Sequence, residues 1–228
     1  MTSRRPVWAL AAAGLGLLAF LADYLDGAAR AVAVAVTSSG FAWGLAAFLA
    51  GWSATARRAA VVRATGTLVV ATLVYYLLVV FVSRRWSGFT LEDGSSADAY
   101  GLRSVALMTG VWLAGSLVAG PLLGLLGHAV RTGPPRWAAG AAGVACGLLS
   151  AEGWATTVPW RVLLSDDPFV RAVAAGTAVR IVLPLVVLGW LAARHRLWAA
   201  WPVLAGAAVA GGVGGVVLWR VFVASVNA

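Results

Sequence analysis

The chain has 228 residues, of which 61% are hydrophobic and only 11% charged, with a mean hydropathy of +0.90. Soluble domains carry about 25% charged residues, so this composition excludes an ordinary soluble fold and belongs to the membrane class. The formal net charge of +9 does not signal nucleic acid, because the arginines flank apolar segments and no basic cluster is interleaved with exposed aromatic residues.

A bilayer core about 30 Å thick needs about 20 helical residues to cross it. Seven apolar segments approach that length: Val7–Leu25, Ala31–Ala54, Val61–Val82, Leu102–His128, Trp137–Thr156, Phe169–Ala193 and Leu197–Val223. They predict an all-α, polytopic bundle forming one membrane-embedded domain over residues 1–228. The fifth segment is interrupted by Glu152. The first segment follows Arg4-Arg5 but is longer than the 7–15 residues of a signal-peptide core, which favours an anchor over a cleaved leader.

The charges in the links sort by side. Alternate links, taken from the N-terminus, hold Arg4, Arg5, Arg57, Arg58, Arg63, Arg131, Arg136, Arg194 and Arg196, and no acid. The other links hold Asp23, Asp26, Glu92, Asp93, Asp98, Asp166 and Asp167, mixed with arginines. Arginine in short loops marks the cytoplasmic side. The pattern predicts a multi-pass protein of the cell membrane, with its N-terminus in the cytoplasm and its C-terminus outside. It requires Trp137–Thr156 to count as a span.

The longest outer link, Ser83 to Tyr100, carries Gly88, Gly94 and Ser95-Ser96 and reads as a loop rather than a domain. Trp154 and Trp160, with other tryptophans near segment ends, fit an interfacial aromatic belt. Gly40/Gly44, Gly120/Gly124, Gly143/Gly147 and Gly211/Gly215 each form a G-x-x-x-G, which permits close helix approach. Gly211-Gly212-Val213-Gly214-Gly215 lacks the lysine of a phosphate loop. Cys146 is the only cysteine, so no intrachain disulfide exists. His128 and His195 have no second ligand nearby in sequence, and no metal or cofactor is expected. The absence of Lys and Gln, with abundant Ala, Gly, Val, Leu and Arg, suggests a GC-rich bacterial source.

The residues that can carry chemistry are Glu152 and Arg180. A charge within a span costs roughly 2.5–3.5 kcal/mol, and such a group is a functional-site hypothesis by default. Glu152 lies 15 residues above Trp137 and Arg180 lies 14 residues from Arg194, which places them about 22 Å and about 21 Å up, in the outer half. Consecutive spans are usually neighbours, so the two are predicted to pair or to share a polar pocket. Pro184 removes the helical donor to the Arg180 carbonyl, and Pro121 does the same at Leu117. Tyr75 and Tyr76 reach about 18–20 Å up and can face the same pocket. The candidate ligand-binding set is therefore Glu152, Arg180, Tyr75, Tyr76 and Trp154.

Ser39-Gly40, Trp43, Ala47-Phe48-Leu49, Gly51, Arg57-Arg58, Tyr75-Tyr76, Gly120-Pro121-Leu122-Leu123-Gly124 and Gly147 with Glu152-Gly153 occur in an order that resembles a family of actinobacterial multi-pass membrane proteins. The likeness covers roughly Val36 to Trp154. It implies a membrane protein with Glu152 inside a shared motif, and it brings no assigned activity.

Three functions fit these residues. The first is binding or transport of a small apolar or anionic molecule near Glu152 and Arg180, together with a membrane protein partner, since no nucleotide-binding motif is present. The second is an intramembrane lipid or isoprenoid enzyme of terpene-cyclase type, with Glu152 as the acid, Asp23 as a second carboxylate and aromatic faces for a cationic intermediate. The third is a structural subunit in which the Glu–Arg pair only fixes helix register.

Overall fold

A computed structural model describes residues 5–156 and 166–227. Trp160, expected in the aromatic belt, and Arg161 lie outside the described residues. The elements in chain order are α1 (Arg5–Ala22), α2 (Gly27–Thr37), α3 (Gly40–Trp52), α4 (Arg57–Leu78) with a π-helical turn at Val79–Ser83, α5 (Asp98–Thr132), α6 (Pro135–Ala155), α7 (Pro168–Arg194), a 3₁₀ turn at Leu197–Ala200, and α8 (Trp201–Asn227).

Among the described residues, five stretches are long and apolar enough to cross a membrane: Ala29–Trp52, Arg57–Ser83, Asp98–Thr132, Val170–Arg194 and Leu197–Ala224. Val7–Ala22 is a shorter apolar helix. α6 is absent from this set although it has 21 residues. Its sequence is rich in Ala and Gly and includes Glu152, so its mean hydropathy is low. Its place in the bundle explains why that is tolerated. α6 packs against α8, α7, α5 and α3, and most of it from Ala138 to Gly153 is buried.

The packing inverts the arrangement of a soluble protein. The buried core is dominated by alanine, joined by Phe41, Phe48, Leu68, Leu123, Leu149 and Leu191. Larger apolar side chains such as Leu17, Val62, Leu77, Val118, Val186 and Val213 face outward. Lipid tails are as apolar as leucine, so helices in a bilayer associate through small residues and close contact. The G-x-x-x-G positions do this work. On α6, a Cβ at Gly143 or Gly147 would run into the backbone of α8 at Leu204 or Ala208. On α5, Gly120 and Gly124 lie against α4 at Thr65 and Ala60.

The loop before α5 closes with one antiparallel bridge, Thr90 to Ser96. Asp93 accepts hydrogen bonds from the Ser95 hydroxyl and amide, which hold its carboxyl below the usual range.

The segment Ala31–Ala54 stands as the membrane-length stretch Ala29–Trp52, but within it the helix is broken at Ser38-Ser39. Ser39 adopts an extended conformation (φ −81°, ψ 157°) and caps α3. The halves have different neighbours: α2 packs on α7 and α1, whereas α3 packs on α5 and α4.

Candidate functional site

A broken helix leaves backbone donors and acceptors without helical partners, and inside a membrane these are satisfied by protein or by a water-filled cavity. The break at Ser38-Ser39 is satisfied largely by side chains. Ser39 Oγ donates to the Ala35 carbonyl (2.6 Å) and accepts from the Ala42 amide (3.3 Å), bridging the two halves. Trp43 Nε1 donates to the Thr37 carbonyl (2.8 Å). Ser38 Oγ donates to Ala19 of α1 (3.4 Å).

The Gly40 amide, in the first turn of α3, donates to Glu152 Oε2 at 2.7 Å. The other carboxylate oxygen, Oε1, lies 3.2 Å from Arg180 Nη1. The matched depths predicted this pairing, and α6 and α7 are neighbours as expected. The sequence did not indicate that Glu152 also holds a helix N-terminus. A carboxylate there interacts favourably with the exposed amides and the positive end of the helix dipole. Glycine at position 40 permits the approach, since a Cβ there would stand 3.2 Å from Glu152 Oε2. Arg180 Nε is buried without a hydrogen-bond partner.

Against this break lies a cavity of about 160 Å³. Ser38, Ser39 and Gly40 form one wall, and Trp43, Thr72, Tyr75, Tyr76 and Trp112 form the rest, with Ala19. Four aromatic side chains and five hydroxyl-bearing ones, the two tyrosines counted in both, thus meet in one space. Thr72 is the informative member. Thr37, Thr67, Thr109, Thr132 and Thr177 each return their hydroxyl to the carbonyl four residues back. Thr65 and Thr72 do not, and of these two only Thr72, buried at 1% exposure with no partner for its hydroxyl, lines this cavity.

Gly40 and Trp112 also border a second, more open groove of about 270 Å³, which Glu152 lines with residues of α5, α6 and α8. Tyr75 and Tyr76 therefore share a wall with Glu152 without touching the same space. Trp154 lines neither space and is half-exposed.

Tyr75 is fixed from the end of the bundle that holds Asp23 and Arg85. Its hydroxyl donates to Asp23 Oδ2 (3.0 Å), and Arg85 Nη1 reaches the same oxygen at 2.8 Å. Arg85 also lies over the Phe20 and Tyr24 rings. Burial opposes its charge, but the hydrogen bond and charge of Asp23 prevail and raise its pKa above the ordinary value. Asp23, considered above as a second acid, thus acts here as an anchor for Tyr75.

Sequence reasoning missed Ser39, the Gly40 amide, Thr72, Trp43 and Trp112. A signal existed for the break: Thr37-Ser38-Ser39-Gly40, three hydroxyl residues before a glycine in an apolar run, is an N-cap pattern. No protein-family model, curated protein or solved structure matches the chain.

Proposed function

We propose that the chain is a seven-span protein of the cell membrane, N-terminus cytoplasmic, that binds a small organic molecule in the cavity at the α2–α3 break. α1 and α6 supply the two spans beyond the five that length and composition identify. The likeness to actinobacterial multi-pass proteins belongs to the same reading.

The observation that carries it is the unpartnered, buried Thr72 hydroxyl facing an aromatic cavity beside an interrupted membrane helix. Interrupted helices in membranes are tolerated where they line a cavity, and their termini typically face a substrate. The volume sets the size of the ligand. A cavity near 150 Å³ accommodates about one benzene ring. The favoured ligand is thus a single-ring-sized, mostly apolar molecule with one polar atom for Thr72. Glu152 would act through the wall rather than by contact, holding α3 in register.

Binding is favoured over acid catalysis because both oxygens of Glu152 are used as acceptors, by Gly40 and Arg180. A proton donor to a substrate would present one oxygen to it.

The test is native mass spectrometry with small-molecule extraction on protein purified in mild detergent. Wild type is expected to carry one discrete small molecule. Thr72→Val, which keeps the shape and removes the hydroxyl, is expected to retain about tenfold less of it, a change of about 1.4 kcal/mol. Equal retention by Thr72→Val and by a cavity-filling Ala19→Leu would refute this site.

A further inference from the structure

A second site lies at the opposite, arginine-rich end of the bundle. There the C-terminus of α3 presents free carbonyls, and basic side chains from other helices approach them. Arg131 Nη1 donates to Trp52 O (3.2 Å), Arg63 Nη1 approaches Ser53 O (3.5 Å), and His128 Nδ1 donates to Ala54 O (3.2 Å). Cations here complement the negative end of the α3 dipole.

This capping uses only part of the arginines. Each guanidinium carries five N–H donors in a planar fork. Arg63 and Arg131 each spend one on a carbonyl, and neither has a carboxylate partner among the described residues. Both line a cleft of about 560 Å³, together with Ser53, Thr55, Val7 and Trp8. The cleft wall is therefore split. One side has two arginines and the exposed Thr55, and the other has an apolar edge from α1. That edge continues along α1 through the outward-facing Val7, Leu10, Leu17 and Leu18.

We propose that this cleft binds the phosphate head group of an anionic phospholipid, with the acyl chains lying along the outer face of α1. Two arginines without a carboxylate partner among the described residues, each with N–H donors beyond its carbonyl contact and Arg131 stacked over the Trp52 ring, match a phosphate in charge and in bidentate geometry. A basic cleft between helices at the membrane surface is suited to an anionic head group. The volume is several times that of the cavity at the helix break, and the apolar edge distinguishes a lipid from a free anion. This site does not depend on the ligand proposed for the outer half.

The experiment compares retention of phosphatidylglycerol and phosphatidylcholine with identical chains, by native mass spectrometry of the full-length protein. Wild type is expected to retain phosphatidylglycerol about tenfold better. Arg63→Gln with Arg131→Gln should reduce that preference to within about twofold. Because this pair also caps α3, Thr55→Asp provides a second variant. It leaves the caps in place, adds a negative charge to the cleft, and should reduce the preference similarly. Arg57→Gln with Arg58→Gln, exposed at the same end but outside the cleft, should keep it. A preference unchanged in Thr55→Asp would overturn the site. So would equal loss in the Arg57/Arg58 control, which would mean a diffuse surface charge. Inorganic phosphate at millimolar concentration should leave the lipid bound; full displacement would assign the cleft to a free anion and overturn the lipid reading.

Discussion

Glu152 is held at three points of the fold at once: its own helix α6, the Arg180 guanidinium on α7 and the Gly40 amide on α3. The side chains of Glu152 and Arg180 are 13% and 22% exposed, so the pair is shielded but not sealed. Removing one partner leaves a poorly solvated charge, a loss that reaches about 3–5 kcal/mol for fully buried pairs. Each of Glu152→Gln and Arg180→Leu should therefore lower stability by about 1–3 kcal/mol. The double variant should lose less than the sum, with a coupling of about 1 kcal/mol or more. Additive losses in equilibrium unfolding in detergent would mean that the pair contributes nothing as a pair. A pH effect is expected at the other end of α7. His195, beside Arg194 and edge-on to the Trp52 ring, has its pKa lowered from 6.5 by burial and then by the Arg194 charge. The native state thus prefers its neutral form. The stabilisation is full above pH 6.5 and is lost as pH falls through the lower native pKa. Thermal scans across that range should show a decline that His195→Gln flattens, and identical profiles would sink the assignment.

At the scale of elements, the break between α2 and α3 governs the half of the bundle that holds Glu152. Ser39 links α2 to α3 through two hydrogen bonds, so Ser39→Ala should cost about 1–2 kcal/mol, as measured by denaturant or thermal unfolding. The α6–α8 seam permits a paired test on glycine. Gly147→Leu would drive a side chain into the Ala208 carbonyl and the Gly212 nitrogen, which are backbone and cannot rotate aside. A loss of more than about 2 kcal/mol is expected. Gly214→Ala, on the same α8 but with nothing within 4 Å, should be neutral or gain up to about 1 kcal/mol in helix propensity. Similar losses for both would remove the close-packing argument. These elements also show what was legible in the sequence. Segment lengths and small-residue spacing carried the helices and the seam, since both are local periodicities. The depth of Glu152 and Arg180 carried their pairing, because rise per residue is constant in a helix. The break was written in Thr37-Ser38-Ser39-Gly40, but hydropathy averages over a window and erased it. Thr72 and Trp112 came together only through tertiary packing of α4 and α5, for which no short-range pattern exists.

For the whole molecule, the decisive quantity is the side on which each end of the bundle faces. Among the described residues, the arginine-only links gather at the end where Arg63 and Arg131 cap α3, and the acidic links lie at the end where Asp23 meets Arg85. Moving nine arginines across a membrane is strongly disfavoured, whereas acidic residues count little in orientation. The caps add a structural reason for the same sorting: the C-terminus of α3 needs cations, and the N-terminus of α3 takes the Glu152 carboxylate. The capping is internal and the same in either orientation, so the loop charges alone favour the orientation proposed above. The native Cys146 is buried, so Cys146→Ala gives a background for single-cysteine labelling. In the orientation proposed, a membrane-impermeant maleimide should label Ser96→Cys in the loop before α5 of intact cells and leave Thr55→Cys unlabelled until the membrane is permeabilised. Both positions are placed at bundle ends, Ser96 exposed in the loop and Thr55 exposed beside Arg57. Labelling of Thr55→Cys in intact cells would invert the topology, and labelling of both would mean that the stretch between them does not cross.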